Sequence, residues 1–147
     1  MWHLIVQISL SFLGTIAFGL FIQVPVQELV WAGVTGSLGW TCYWLLFQMG
    51  TGSIFANFAG AFLVGIMGML LSRQRKQPST TFNIPGLVPL VPGATAYQAL
   101  ELLIIGQRNA FVTKCFHVIL LTGAIALGYL LAQLVAEQLN KNHYYKR

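Results

Sequence analysis

Charged residues divide the chain into long uncharged stretches. Residues 1–27 and 29–72 are two of them, and Gly50-Thr51-Gly52-Ser53 lies near the middle of the second as a turn signal. A helix needs about 20 mostly apolar residues to cross a bilayer. The pattern therefore predicts five membrane segments, at approximately residues 4–23, 29–48, 53–72, 84–106 and 112–136.

Composition supports an integral membrane protein. Of the 147 residues, 56% are hydrophobic and 7% are charged, whereas soluble domains carry about 25% charged residues. Such a chain has too few charges to cover the surface of a soluble fold. We expect an all-α integral membrane protein with one membrane domain over residues 1–147, whose fourth segment is broken by prolines.

Several kinds of chemistry have no matching motif. The three histidines stand far apart with no carboxylate or thiol in a ligand pattern, so we expect no metal site. No phosphate-binding loop or nucleophile–base pair is present. We therefore expect no cofactor, no ATP hydrolysis and no enzymatic activity. The net charge of +5 comes from few residues and indicates membrane topology, not nucleic-acid binding.

Basic residues near the segment ends predict an orientation. Five crossings place two groups of three on one side, namely Arg73, Arg75 and Lys76, and Lys141, Lys146 and Arg147. Arg108 and Lys114 lie on the other side. Because Lys and Arg accumulate on the cytoplasmic side, we expect the N-terminus outside and the C-terminus in the cytoplasm of an inner-membrane protein.

The fourth segment contains three prolines within eight residues: Pro85, Pro89 and Pro92. Each removes a backbone donor and obstructs a continuous α-helix. Non-helical backbone at membrane depth is tolerated where it is buried in protein or lines a wet cavity. Broken segments of this kind indicate transport sites.

A helix that restarts at Pro92, as its first residue, would leave the amides of Gly93, Ala94 and Thr95 free to bind an anion. Gly93, Tyr97 and Glu101 would share one face of that helix, with Tyr97 as a hydrogen-bonding group and Glu101 as a site for a proton or an ammonium group. The alternative is a proline-kinked structural helix with Tyr97 and Glu101 at the membrane interface.

Other polar residues fall within or beside the segments. Asn57 is a candidate ligand-binding residue or a group that bridges helices. His117 is a second candidate proton carrier, beside Glu101, or a hydrogen-bonded packing residue. Glu28 follows Pro25 at a segment boundary, and there we expect a solvated carboxylate.

Small residues recur four positions apart, a spacing that lets helix backbones approach closely. The pairs are Ala32 and Gly36, Ala56 and Gly60, Ala61 and Gly65, and Ala124 and Gly128. They predict tight packing within the chain and against a partner, and they leave homo-oligomerisation open.

The proline-rich segment resembles the core motif of the threonine/serine exporter family. The matching residues are Phe82-Asn83-Ile84-Pro85-Gly86-Leu87-Val88-Pro89-Leu90-Val91-Pro92-Gly93, followed by Tyr97. The small subunit of the family's two-component form is similar in three upstream blocks: Val24-Pro25-Val26, Gly36-Ser37-Leu38-Gly39-Trp40 and Phe62-Leu63-Val64-Gly65. The resemblance covers residues 18–100.

This resemblance implies export of small amino acids, or of dicarboxylates such as succinate, across the inner membrane. It also implies a larger membrane partner that supplies the other half of the transporter. We therefore expect a subunit of a secondary exporter for carboxylate-bearing solutes. The alternative is a membrane scaffold that stabilises a partner and does not transport.

Overall fold

Helices account for nearly all of the chain. The computed structural model describes residues 2–144, and it describes side chains over residues 4–138. Within residues 2–144 there is no β-strand, which confirms the predicted all-α class. The elements are α1 (Trp2–Phe21), α2 (Val26–Gln48), α3 (Ser53–Arg75), α4 (Thr80–Leu87), a 3-10 helix (Val88–Leu90), α5 (Gly93–Ile104) and α6 (Arg108–Tyr144).

Glycine makes the turn between α2 and α3, as the sequence predicts. Gly50 and Gly52 have φ angles of 81° and 85°, values that side chains with a Cβ atom rarely adopt. The helices on either side are antiparallel, since Gly39 of α2 packs on Gly60 of α3 while Glu28 in the first turn of α2 pairs with Arg75 in the last turn of α3. The α1–α2 pair is antiparallel too, because Gln7 reaches Trp40 while Gly19 packs on Leu29.

The longest helix, α6, runs parallel to α3. Ser53 at the start of α3 contacts His117, and Gly65 further along packs on Ala132. Between these two helices the chain returns along α3 in the opposite direction, with Asn83 against Gly68 and Leu90 against Gly60. The proline-broken segment therefore leads from the end of α3 back to the level where α6 begins.

The interior is small, and its buried clusters lie between α2, α3, α4 and the 3-10 helix. One buried cluster consists of Ala32, Leu71 and Phe82. A second consists of Ala61, Val64 and Leu90. All eight members of the predicted small-residue pairs are buried, which confirms their packing role within the chain.

Among the described residues, three helices are long and apolar enough to cross a membrane: α1 over Leu4–Phe21, α3 over Ser53–Arg75 and α6 over Arg108–Gln138. The bent pair Thr80–Leu90 and Gly93–Ile104 makes a fourth if it counts as one span. The predicted number of five is not confirmed, because α2 has 23 residues but does not meet the same apolarity. Neighbouring helices cover much of α2, so it needs less apolar surface.

The predicted break in the fourth segment is confirmed, with two corrections. The segment begins at Thr80, and Pro85 lies inside α4. The helical path ends at Val91, whose ψ of 129° is extended, as expected before a proline. Pro92 caps α5 instead of being its first helical residue, and the two halves meet at 46°.

Candidate functional site

A cavity of about 140 Å³ lies at the break between α4 and α5. Its walls come from α2, α3 and α6 as well as from the broken segment, and the lining residues are Trp40, Tyr43, Asn57, Leu121 and residues 89–95. The structure therefore brings together five of the predicted site residues: Asn57, Pro92, Gly93, Ala94 and Thr95.

The start of α5 supplies backbone donors to this cavity. The Ala96 amide makes the first helical hydrogen bond, to the Pro92 carbonyl at 3.0 Å. The amides of Ala94 and Thr95 precede it and have no partner among the described residues. The Gly93 amide, predicted to be free, donates to the Val91 carbonyl at 2.7 Å. Of the three backbone amides predicted to be free, those of Ala94 and Thr95 are free among the described residues.

Asn57 is buried with 4% of its surface exposed. Its Nδ2 donates to the Ser53 carbonyl of the same helix at 2.9 Å. Among the described residues its Oδ1 forms no hydrogen bond, so Asn57 does not bridge helices there. An amide oxygen without a partner is available to accept a hydrogen bond from a ligand in the cavity.

An aromatic wall from α2 closes one side of the cavity. The rings of Trp40 and Tyr43 lie 5.0 Å apart, and Trp40 Nε1 donates to Gln7 Oε1 of α1 at 2.8 Å. Sequence reasoning missed both aromatic residues. Their spacing of three places them on one helix face, but only the fold shows which face meets the break.

Tyr97 and Glu101 lie elsewhere. Tyr97 is 70% exposed, Glu101 is exposed, and neither lines the cavity. The buried residue of α5 is Ala99, and the Tyr97 and Glu101 side chains point away from the helix bundle, so they do not share a site with Gly93, which lines the cavity. Their roles in binding and proton coupling stay predictions.

His117 lies apart from both groups. Its Nε2 is 3.4 Å from Ser53 Oγ, a contact that joins α6 to α3. It lines a separate cavity of about 370 Å³ with Leu102 and Lys114. Among the residues lining that cavity, Glu101 is absent, so the two predicted proton carriers do not share a site in the described chain.

The expectation that Glu28 is solvated is wrong. Glu28 is 4% exposed, and its Oε2 lies 3.0 Å from Arg75 Nε. A second hydrogen bond joins Arg75 Nη2 to Oε1 at 3.2 Å, and the Arg75 guanidinium lies 5.6 Å from the centroid of the Trp31 ring. The Glu28 carboxylate can be buried because Arg75, 47 residues later in the chain, donates hydrogen bonds to both of its oxygens.

The cavity at the break is uncharged and mostly apolar, with a few polar groups in its wall. None of the described residues that line it carries a formal charge. It offers two helix N-terminal amides, one amide oxygen and two aromatic rings. Amides at a helix N-terminus bind a carboxylate without a cationic side chain. The arrangement suits reversible binding of a small solute.

The fold is that of an all-α membrane protein with a cavity at a broken helix. A family model described as "Threonine/Serine exporter, ThrE" matches residues 7–135. Because this match covers most of the chain, the chain belongs to the threonine/serine exporter family, a family of transporters and not of enzymes. No solved structure matches the chain.

Proposed function

We propose that the chain is a subunit of a secondary exporter that moves small carboxylate-bearing solutes out of the cell. The observation that carries the proposal is the cavity at the break, where Asn57 faces the start of α5. Membership of the exporter family supports threonine and serine as solutes. The dicarboxylate succinate is a further candidate.

Binding would use the two ends of an amino acid differently. The carboxylate would accept hydrogen bonds from the Ala94 and Thr95 amides at the positive end of α5. The ammonium group would donate to Asn57 Oδ1. Because the described lining has no cation, a second carboxylate, as in succinate, would need a donor from outside this chain.

A larger membrane partner of the same family would complete the transporter. The exposed face of α5 with Tyr97 and Glu101 is the surface that we propose it covers, since both side chains are open to a neighbouring subunit. Glu101 and His117 would then carry the coupling protons. The complex would lie in the inner membrane, with the C-terminus of this chain in the cytoplasm.

Efflux tests this function directly. Cells that hold the chain and its partner are loaded with threonine, serine or succinate, and the loss of each solute is followed with and without the chain. We expect efflux of threonine and serine to fall when the chain is absent. Unchanged efflux of all three solutes would contradict the proposal.

Asn57→Leu tests the cavity. We expect it to lower efflux by about tenfold, the effect of losing roughly 1.4 kcal/mol of solute binding, while the complex still assembles. Thr122→Val is the matched control: it also removes a side-chain bond to the carbonyl four residues back, but Thr122 lies outside the cavity. Equal efflux in both variants would show that Asn57 does not bind the solute.

The scaffold role is the second candidate; the small-residue pairs suggested it in the sequence, but in the structure they pack within the chain itself. Glu101→Gln separates the two roles, because we propose that Glu101 carries a coupling proton. A scaffold keeps both assembly and efflux in this variant. A transport subunit keeps assembly, measured by copurification of the partner, and loses efflux.

A further inference from the structure

The cavity of about 370 Å³ between α5 and α6 carries a positive charge. Leu102 of α5 forms one wall, and Ala110, Thr113, Lys114 and His117 of α6 form the other. Lys114 and His117 are three residues apart, so they share one face of α6. Both side chains are partly buried. The cavity therefore brings a cation and an imidazole together in a space that suits a small solute.

The charge of Lys114 is not balanced by a carboxylate in the part of the chain that the structure describes. Its Nζ donates a hydrogen bond to the neutral side-chain oxygen of Gln98 at 2.9 Å. An ammonium has three N–H groups, so among the described residues two remain for a ligand. Glu101 lies three residues after Gln98 but does not line the cavity. An anion in the cavity would therefore meet an uncompensated positive charge.

His117 adds a second donor. Its Nε2 lies 3.4 Å from Ser53 Oγ, and among the described residues its Nδ1 has no hydrogen-bond partner. When the Ser53 hydroxyl donates to Nε2, the neutral ring carries its hydrogen on Nδ1, which can then donate to a ligand. Lys114 and His117 together offer one charged and one neutral donor, which suits the two oxygens of a carboxylate.

This cavity adjoins the break along α3 and α6. The Ser53 hydroxyl contacts His117, and the Ser53 carbonyl accepts the hydrogen bond from Asn57, which lines the break. Leu121, four residues after His117 on the same face of α6, also lines the break. Lys114 and Leu121 are seven residues apart, or about 10 Å along the helix. The two cavities would therefore hold a solute the size of threonine in turn.

We propose that Lys114 and His117 form a second carboxylate site beside the break, where the solute is held before or after it occupies the break. The break offers a carboxylate only backbone amides, whereas Lys114 attracts it from a distance. A lipid phosphate presents similar chemistry to a lysine, but the contacts with Ser53 and Asn57 favour the solute. The place of this site on the solute's path rests on the proposed function, and the carboxylate site itself does not.

Protection of Lys114 from acetic anhydride tests the site in the unaltered full chain, purified in detergent with any subunit that copurifies. Mass spectrometry reads the acetylation of each lysine after a short pulse. We expect threonine, at about ten times its Kd, to slow acetylation of Lys114 about tenfold. Threonine methyl ester, which lacks the carboxylate, should not protect it. Equal acetylation of Lys114 with and without threonine would overturn the site.

Lys76 is the reference for reagent that the amino acid itself consumes. It is exposed and follows the end of α3, at the other end of the bundle. Acetylation of Lys114 is therefore expressed relative to that of Lys76. Equal slowing at both lysines would show loss of reagent instead of protection and would overturn the site.

His117→Phe keeps an aromatic ring and removes the nitrogen donor. We expect the threonine concentration for half-protection of Lys114 to rise about tenfold, as for one hydrogen bond to a charged group. Arg108→Gln is the matched control, because Arg108 is an exposed cation at the same end of the bundle that lines a different cavity. It should leave half-protection unchanged. An equal rise in both variants would show diffuse attraction of anions and would overturn the site.

Phosphatidylglycerol separates a lipid phosphate from the solute. It is added to the same purified protein, alone and with threonine. We expect threonine to protect Lys114 to the same extent in its presence. Protection by the lipid that threonine does not change would assign the cavity to a headgroup and would overturn the proposal.

Exchange of external for internal threonine, in vesicles that hold the chain and its partner, tests the place of the site on the path. In the orientation that we propose, Lys114 lies towards the outer side. Lys114→Gln should therefore raise the external concentration for half-maximal exchange about tenfold and leave the internal one unchanged. An unchanged external value would overturn the place on the path. No exchange by the unaltered complex would contradict the proposed function and leave the protection result standing.

Discussion

At the residue scale, Glu28 and Arg75 show how a charge is kept within an apolar chain. Each lies at the helix end that its charge favours, Glu28 in the first turn of α2 and Arg75 in the last turn of α3. The carboxylate is buried, whereas 36% of the Arg75 side chain is exposed. Loss of the Arg75 cation should therefore cost more stability than loss of the Glu28 carboxylate.

We expect Arg75→Gln to destabilise the protein by about 2 kcal/mol, because it leaves a buried carboxylate without its cation. Glu28→Gln should cost under about 1 kcal/mol, since the half-exposed guanidinium can still reach water or headgroups. The double variant should be more stable than Arg75→Gln alone. Thermal unfolding in detergent compares the three. A double variant as unstable as the sum of the single variants would contradict the coupling.

At the element scale, the α3–α6 contact depends on the absence of side chains. A Cβ atom at Gly128 would collide with the Phe58 backbone carbonyl, which cannot move aside as a flexible side chain could. The small-residue pairs of the sequence predict such contacts. They do not indicate which helices meet, because any two faces with small residues are compatible by pattern alone.

Gly128→Ala should destabilise the protein by about 1–3 kcal/mol, the usual range for overpacking. Gly123→Ala is its control on the same helix, since nothing lies within 4 Å of the new methyl group. That variant should be neutral or stabilise by up to about 1 kcal/mol through lower backbone entropy. Melting temperatures in detergent measure both. Similar losses in the two variants would show that α3 and α6 are not in backbone contact.

The break itself makes a second prediction at this scale. Pro92→Ala removes the restraint that holds Val91 extended, so α5 can gain residues at its start and lose its free amides. We expect efflux to fall by about tenfold, or roughly 1.4 kcal/mol of solute binding. Pro25→Ala is the control, because Pro25 also caps a helix, α2, but lies far from the cavity. Full efflux in Pro92→Ala would show that the break does not bind solute.

At the scale of the whole molecule, consecutive segments alternate in direction from α1 to α6, with the bent pair as one segment. Arg73 and Arg75 therefore lie at the same end as the last turns of α6, as the charge pattern predicts. Lys146 and Arg147, which also contribute to the predicted orientation, lie outside the described residues.

This alternation predicts that the two chain ends lie on opposite faces of the membrane. A small tag at each end is labelled in intact cells with a reagent that does not cross the inner membrane. We expect labelling of the N-terminal tag alone, with the C-terminal tag labelled only after permeabilisation. Labelling of both tags in intact cells would contradict five passes.

The amino-acid sequence by itself determined the environment, the helical class and the position of the break. These follow from local physics: uncharged stretches of a given length suit a bilayer, and several prolines close together disfavour a continuous helix. Pro85 nevertheless lies inside α4, and the break falls at Val91 and Pro92. Asn57 and residues 92–95 could be chosen as candidates from the sequence alone. Asn57 is a polar residue within an apolar segment, and residues 92–95 follow the last proline of the fourth segment, where a new helix can begin.

Only the tertiary structure decided what surrounds the break. It placed Trp40 and Tyr43 against residues 92–95, left Tyr97 and Glu101 on the exposed face of α5, and paired Glu28 with Arg75. These outcomes depend on which helix faces meet across long separations in the chain. Because lipid gives no preference among apolar faces, that choice is made by packing and hydrogen bonds, which no periodicity in the sequence records.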